Sequence, residues 1–403
     1  MSSQTGWEEF GRWSTRSEEA TFLQTVADET AMTLTEAGRS VVGHPIWRAE
    51  IGTGPAIMIV GALHPNEPSG REAALMWLRD LAYSTDPDVL TYLDTHRIVI
   101  IPTANPDGLT GQRDNSNGVN LNRDFFKLTQ PETRAVQSVL RDVDPDIILD
   151  LHEAGADAGY EWRPYAGGLP GAHPDIQDLS TDCMDEAKTV LSGLGFQSLD
   201  YPVGSMPWSG LSVVAAAHHA LSVLSEPGWR ITTQAERIEL SIALFETTLA
   251  FHRDQLTDIH DARTASRAAA ASSTDPIPVP TRQFIGTGTV TTVEPTGPYE
   301  PEWDIPQTLL DLHGIDSTDG ALSVQQEARL IIAALFDPAS SEYVVDDPWW
   351  NPTPTVDAGL RLTVRHDGVL YPVRDVWTNH DGVRRHVTEA WTARDGARVP
   401  VMS

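Results

Sequence analysis

The chain is 403 residues long, enough for two or three domains, and sets 57 acidic side chains against 28 basic ones for a formal net charge of −29. That balance argues against a nucleic-acid partner, which needs clustered Lys and Arg, and disfavours adsorption to anionic membranes. Cys183 is the only cysteine, so no intrachain disulfide can form.

No stretch reaches the ~18 continuous apolar residues of a membrane span. The opening MSSQTGWEEFGRW has neither the basic nor the apolar region of a secretory signal. The expectation is a soluble protein without a signal peptide. Residues 55–61 (PAIMIVG) are a short apolar run of the kind found in a buried strand, and residues 69–82 follow with helical periodicity. RIVIIP at 97–102 is a second buried strand. Residues 130–142 predict a helix with Pro131 in its first turn. DIILDL at 146–151 is a third strand, 220–224 a fourth, and 233–259 a long amphipathic helix. This βαβα order predicts an α/β fold: a mixed, largely parallel central sheet flanked by helices.

The first domain therefore spans 1–265. RAAAASSTDPIPVP is small and Pro-rich, which predicts a linker over 266–281. Residues 282–355 mix strand signals with one helix at 323–336 and yield no assignable fold. In the last segment, 356–403, Asp367-Gly368, Asp381-Gly382 and Asp395-Gly396 recur every 14 positions, and Val373 and Trp377 are echoed by Val387 and Trp391. Asp-Gly favours hairpin turns, where φ must be positive, so a small C-terminal antiparallel β-module is expected. The pattern resembles C-terminal repeats in tail proteins of phages that infect actinobacteria.

Three segments carry chemistry. GALHPNEPSG places His64 and Glu67 between a strand and a helix; NPDGLTGQRDNSNGVNLNRDF spans residues 105–125; and DLHEAG puts His152 at the end of a strand. Ligands of a parallel sheet gather outside the carboxyl ends of its strands, where His64 and His152 both fall. Two imidazoles and a carboxylate form one of the donor sets that hold catalytic zinc and leave a position open.

Together these segments resemble the M14-type zinc carboxypeptidases over about residues 40–230. The resemblance implies one zinc ion per chain, held by His64, Glu67 and His152. It also implies that Asn122 and Arg123 grip the terminal carboxylate of a substrate and that Arg113 polarises the scissile carbonyl. Glu226, in ALSVLSEPGW, becomes the base that takes a proton from water and returns it to the leaving amine. Arg123 offers a bidentate fork that a lysine could not reproduce. Asp150 is a candidate hydrogen-bond partner for a ligand imidazole. Tyr201 or Trp208 lines the pocket, although Tyr201 lies further before Glu226 than the family's substrate-covering tyrosine. Glu153 is expected on the opposite sheet face, and His218, His219, His380 and His386 outside the metal site.

The implied activity is hydrolysis of an amide bond beside a free carboxylate. If the repeats mark a phage tail protein, peptidoglycan stem peptide is the natural substrate and other tail proteins are partners of the C-terminal module. Two alternatives stand beside it: a deacylase like succinylglutamate desuccinylase or aspartoacylase, and an inert virion structural or receptor-binding protein.

Overall fold

In the computed structural model the described residues are 4–109, 111–125, 128, 130–153, 160–166, 173–200, 210–230 and 232–272, with eight short strands beyond them between 277 and 400. The chain divides into two units, Met1–Ser272 and Ser273–Ser403. In chain order the first unit contains α1 (Gly6–Phe10), α2 (Arg16–Glu29), β1 (Thr33–Arg39), β2 (Pro45–Gly52), β3 (Ala56–Val60), α3 (Ser69–Ala82), α4 (Pro87–Leu93) and β4 (Arg97–Ile101). It continues with α5 (Pro131–Val143), β5 (Ile147–Leu151), β6 (Trp162–Ala166), α6 (Pro174–Gly193), α7 (Leu211–Ala217), β7 (Leu221–Pro227) and α8 (Gln234–Ser272).

The strands form one seven-stranded sheet in the order β1-β2-β4-β3-β5-β7-β6. Its centre, β4-β3-β5-β7, is parallel, and both flanks are antiparallel. Every residue of β3 and β5 is buried, as expected for parallel strands covered on both faces. Ile57, Met58, Ile59 and Val60 are each at most 1% exposed, and burial of each such side chain contributes about 1.5–3 kcal/mol. Flanking helices complete the predicted α/β class, with α3 and α6 both packed on α8. No helix among the described residues is long and apolar enough to cross a membrane.

The parallel centre positions the site. Four strands release their chains at the same edge, so the segments after Val60, Ile101, Leu151 and Pro227 lie near one another. Ala62 takes a left-handed backbone (φ 47°), uncommon for a residue with a side chain, and its carbonyl accepts from the Asn105 N–H at 3.0 Å. This strained corner turns the chain out of β3 just before His64. Gly70 opens α3 where a Cβ would stand 2.8 Å from Leu151 Cβ, so only glycine lets the helix sit this close to the end of β5.

Two features differ from expectation. α8 continues to Ser272, beyond residue 266, because the alanines taken as linker composition are strong helix formers. The antiparallel flanking strands β1, β2 and β6, of which β1 and β6 are the edges, are additional to the four predicted strands. In the second unit Ile277–Pro280 (β8) pairs antiparallel with Val290–Val293 (β9). The Asp-Gly dipeptides lie between three antiparallel pairs: Thr363–His366 with Val369–Pro372 (β10, β11), Thr378–His380 with Val383–Arg385 (β12, β13), and Trp391–Arg394 with Ala397–Pro400 (β14, β15). The helix expected at 323–336 lies outside the described residues.

Candidate metal centre and active site

After Ala62 the chain makes a tight turn in which the Glu67 N–H donates to the His64 carbonyl at 2.9 Å. The three-residue spacing thereby brings His64 Nδ1 to 3.1 Å from Glu67 Oε2. His152, the first residue past β5, places its Nδ1 2.8 Å from Glu67 Oε2 and 3.0 Å from His64 Nδ1. All three side chains are buried. Among the described residues they form the one group of His, Cys, Asp or Glu able to hold a metal ion.

The outer atoms of the rings define their roles. His64 Nε2 lies 2.9 Å from Asn120 Oδ1, and that oxygen also accepts from the Asn122 N–H at 3.0 Å, which identifies it as the amide oxygen. Nε2 therefore carries the ring proton, and the Nδ1 lone pair faces the centre. His152 Nε2 lies between Asn122 Nδ2 at 2.9 Å and Asp150 Oδ1 at 3.0 Å.

The donor set fits a divalent cation. Asp150 is fully buried, yet neither carboxylate oxygen has a hydrogen bond, and its close neighbour is His152. Burial alone would lower the His152 pKa, but Asp150 and Glu67 outweigh it and carry the imidazole up to about 10. Burial would raise the Glu67 pKa; His64 and His152 reverse this and hold it well below the usual carboxylate range. His64 itself is lowered by burial, against the pull of Glu67. Two buried carboxylates thus stand around facing imidazoles, a donor set suited to a positive ion. A divalent ion held by His64, Glu67 and His152 would supply that charge.

Arg113 reaches the same cluster, with Nη1 paired to Glu67 Oε1 and nearly half of its side chain exposed. Asn122 is buried, and its amide is engaged within the protein: Oδ1 accepts from the Leu211 N–H at 2.8 Å and Nδ2 faces His152. Both amide atoms thus have partners within the protein. Arg123 is half-buried in the same short 3-10 turn, Leu121–Arg123, and donates through Nη1 to the Asn122 carbonyl at 2.6 Å. Glu226 lies near the end of β7, where Ser225 pairs with Leu151 and accepts from the His152 N–H at 2.8 Å. The register therefore puts Glu226 beside His152 at the sheet edge. Tyr201 and Trp208 lie outside the described residues.

Sequence reasoning missed two contributors. Asn120 orients His64, and only its place in NLNRDF hinted at this. Glu153 was expected away from the site. Its carboxylate does turn to the Ser69 N–H at 2.7 Å and to Arg237 at 3.2 Å, but its backbone N–H donates to Glu67 Oε2 at 3.2 Å. The signal was at α3, whose N-cap Pro68 provides no side-chain cap. His218 and His219 stand elsewhere, 2.7 Å from Gln137 Nε2 and 2.8 Å from Ser266 Oγ respectively.

Comparison with known proteins agrees with this geometry. Residues 20–206 match the family model Peptidase_M14, zinc carboxypeptidase. Carboxypeptidase SOL1 of Arabidopsis thaliana is 35% identical over 146 residues, covering 31% of this chain and 30% of that protein. Carboxypeptidase D of Anas platyrhynchos is 30% identical over 220 residues, covering 46% of this chain and 16% of its own length. The chain thus spans under a third of either relative. Among solved structures, a metallo-carboxypeptidase from Burkholderia cenocepacia aligns with a TM-score of 0.51 at 21% identity, over 59% of this chain and 69% of that one. Thrombin activatable fibrinolysis inhibitor aligns with a TM-score of 0.52 at 13% identity, over 64% and 80%. These likenesses show a shared fold. The segment 20–206, which contains all three converging donors, is thus similar to the Peptidase_M14 zinc carboxypeptidase family, whose metal is zinc.

Proposed function

We propose that the chain is a zinc metallocarboxypeptidase that hydrolyses the peptide bond next to a free carboxylate. The observation that carries this reading is the convergence of His64 Nδ1, Glu67 Oε2 and His152 Nδ1 within 2.8–3.1 Å of one another at the carboxyl edge of a parallel sheet. Zinc, when bound there, supplies a Lewis acid. Asn120 and Asp150 orient the two imidazoles. Glu226 takes the proton of the attacking water on its carboxylate and returns it to the leaving amine. Arg113 stabilises the negative charge that grows on the carbonyl oxygen. The guanidinium of Arg123 binds the terminal carboxylate as a planar fork.

A finer reading follows from the Asp-Gly repeats. If the β-module belongs to a phage tail, the substrate is a peptidoglycan stem peptide and the chain acts at a host cell wall. Incubation with C-terminally free peptides, N-acyl amino acids and purified muropeptides, with products weighed before and after chelation, separates the readings. Metal-dependent release of a C-terminal amino acid is the expected result, with muropeptides cleaved if the finer reading holds. Release of only acetate or succinate identifies a deacylase, and no metal-dependent product at all identifies an inert scaffold.

A further inference from the structure

Residues 5–19 precede the part of the chain that matches the family, and they build a wall beside the metal site. Two capping boxes, at Thr5 and Thr15, start α1 and α2 and leave a sharp bend between them. Gly6 lies so close to Ser14 that a Cβ would stand 2.8 Å from Ser14 Cα. The bend is pinned to α3 by Glu72, which is fully buried and accepts from the Trp7 N–H at 3.0 Å, the Ser14 N–H at 3.2 Å and the Ser14 hydroxyl at 2.7 Å. Trp7 stacks on Trp13 with ring centroids 5.5 Å apart. The wall is therefore held by hydrogen bonds to a buried anchor.

Between this wall and the metal-binding loops is a cavity of about 550 Å³, within the range of small-ligand pockets. Pro65 and Asn66, which line it, lie between His64 and Glu67 in sequence; Glu153, also lining, follows His152. None of Arg113, Asn122 or Arg123 lines the cavity, so it is not where a terminal carboxylate is gripped. Trp13 and Trp229 give it aromatic surface.

Its cations are not equivalent. Arg71 is buried between Glu19 and Glu72, and Arg237 is paired with the buried Glu153. Arg16 is half-buried and donates to the Pro106 carbonyl at 2.9 Å, with no carboxylate partner among the described residues. In a chain carrying twice as many acids as bases, an arginine without an acid at the wall of a cavity is a conspicuous charge. Beside the cavity the exposed Arg230 stands over the Trp229 ring, 5.1 Å from its centroid.

We propose that this cavity is a second substrate pocket, which takes a carboxylate-bearing segment of the peptide on the N-terminal side of the bond to be cleaved. Arg16 meets the carboxylate, and Trp13 and Trp229 cover the apolar part of the segment. The assignment of the occupant to the N-terminal side rests on the carboxypeptidase reading above. The preference for an acidic segment rests only on the cavity itself.

The test uses the full chain and N-acetylated peptides of one sequence that differ at a single position two or three residues before the C-terminus: Glu, Gln or Lys. kcat/KM is measured for the zinc-loaded protein, and Kd by calorimetry on the chelated protein. We expect Glu to exceed Gln about five-fold in both measurements, the ratio to shrink as salt rises, and Lys to rank last. Arg16→Gln should bring the Glu:Gln ratio close to one, and Arg16→Lys should restore part of it. The comparison of peptides on the unaltered chain needs no variant, so a variant that fails to fold does not weaken it. Equal treatment of Glu and Gln in both measurements, with cleavage proceeding, overturns the pocket and leaves the peptidase reading intact. A calorimetric preference for Glu without any cleavage supports the pocket and overturns the peptidase reading.

Discussion

Strand β5 has an aspartate near each end, and the two are treated in opposite ways. Asp146, just before its first residue, is 1% exposed and fully matched: Arg263 pairs with one oxygen, while His252 Nε2 at 3.0 Å and His260 Nε2 at 3.3 Å face the other. His252 is held in turn by the Tyr92 hydroxyl at 3.1 Å, and His96 stacks on Tyr92. Burial would raise the Asp146 pKa, but these partners outweigh it and hold it below the usual value. Asp150, near the other end, has no hydrogen bond to either oxygen, and the imidazole beside it faces a second imidazole at 3.0 Å. Both clusters are buried His-carboxylate assemblies. A saturated one braces the fold, and one whose carboxylate oxygens lack hydrogen bonds is a candidate site.

That contrast can be broken by substitution. The largest effect is expected at the functional end: Glu226→Gln should retain zinc and lower kcat by about 10²–10⁴-fold, as loss of a general base does. A fully active variant removes Glu226 from the mechanism. Next comes the structural end, where Asp146→Asn leaves Arg263 without its buried carboxylate partner. Denaturant titration should show a loss of about 3–5 kcal/mol, with zinc content unchanged. Loss of zinc in that variant would mean that the two ends of β5 are not independent. The smallest effect is expected for Asp150→Asn, which keeps the shape and weakens orientation of His152. Competition with a chelator should show zinc affinity reduced about 10–100-fold, with little change in stability. A large stability loss there would make Asp150 a brace like Asp146.

Much of this was legible in the sequence because the relevant signals were local. β3 and β4 and most of β5 are apolar runs, as expected of strands covered on both faces, and His64 and His152 follow the ends of β3 and β5. The edge strands lack that signal. β1 has no buried residue, and β6 contains Pro164, which a strand tolerates at an edge. The end of α8 was hidden because alanine suits a helix as well as a linker. In the site, Asn120, Asn122 and Glu153 act through contacts that only the folded chain creates. Asn122 reaches the N–H of Leu211, far along the chain, and Glu153 reaches Glu67 through its backbone, which side-chain alternation cannot register.

The most direct measurement is anomalous diffraction at the zinc absorption edge from crystals of the full chain. One peak is predicted, about 2.0–2.2 Å from His64 Nδ1, a Glu67 carboxylate oxygen and His152 Nδ1. A zinc-replete crystal with no peak among these three atoms, or with its ion bound elsewhere, would contradict the account.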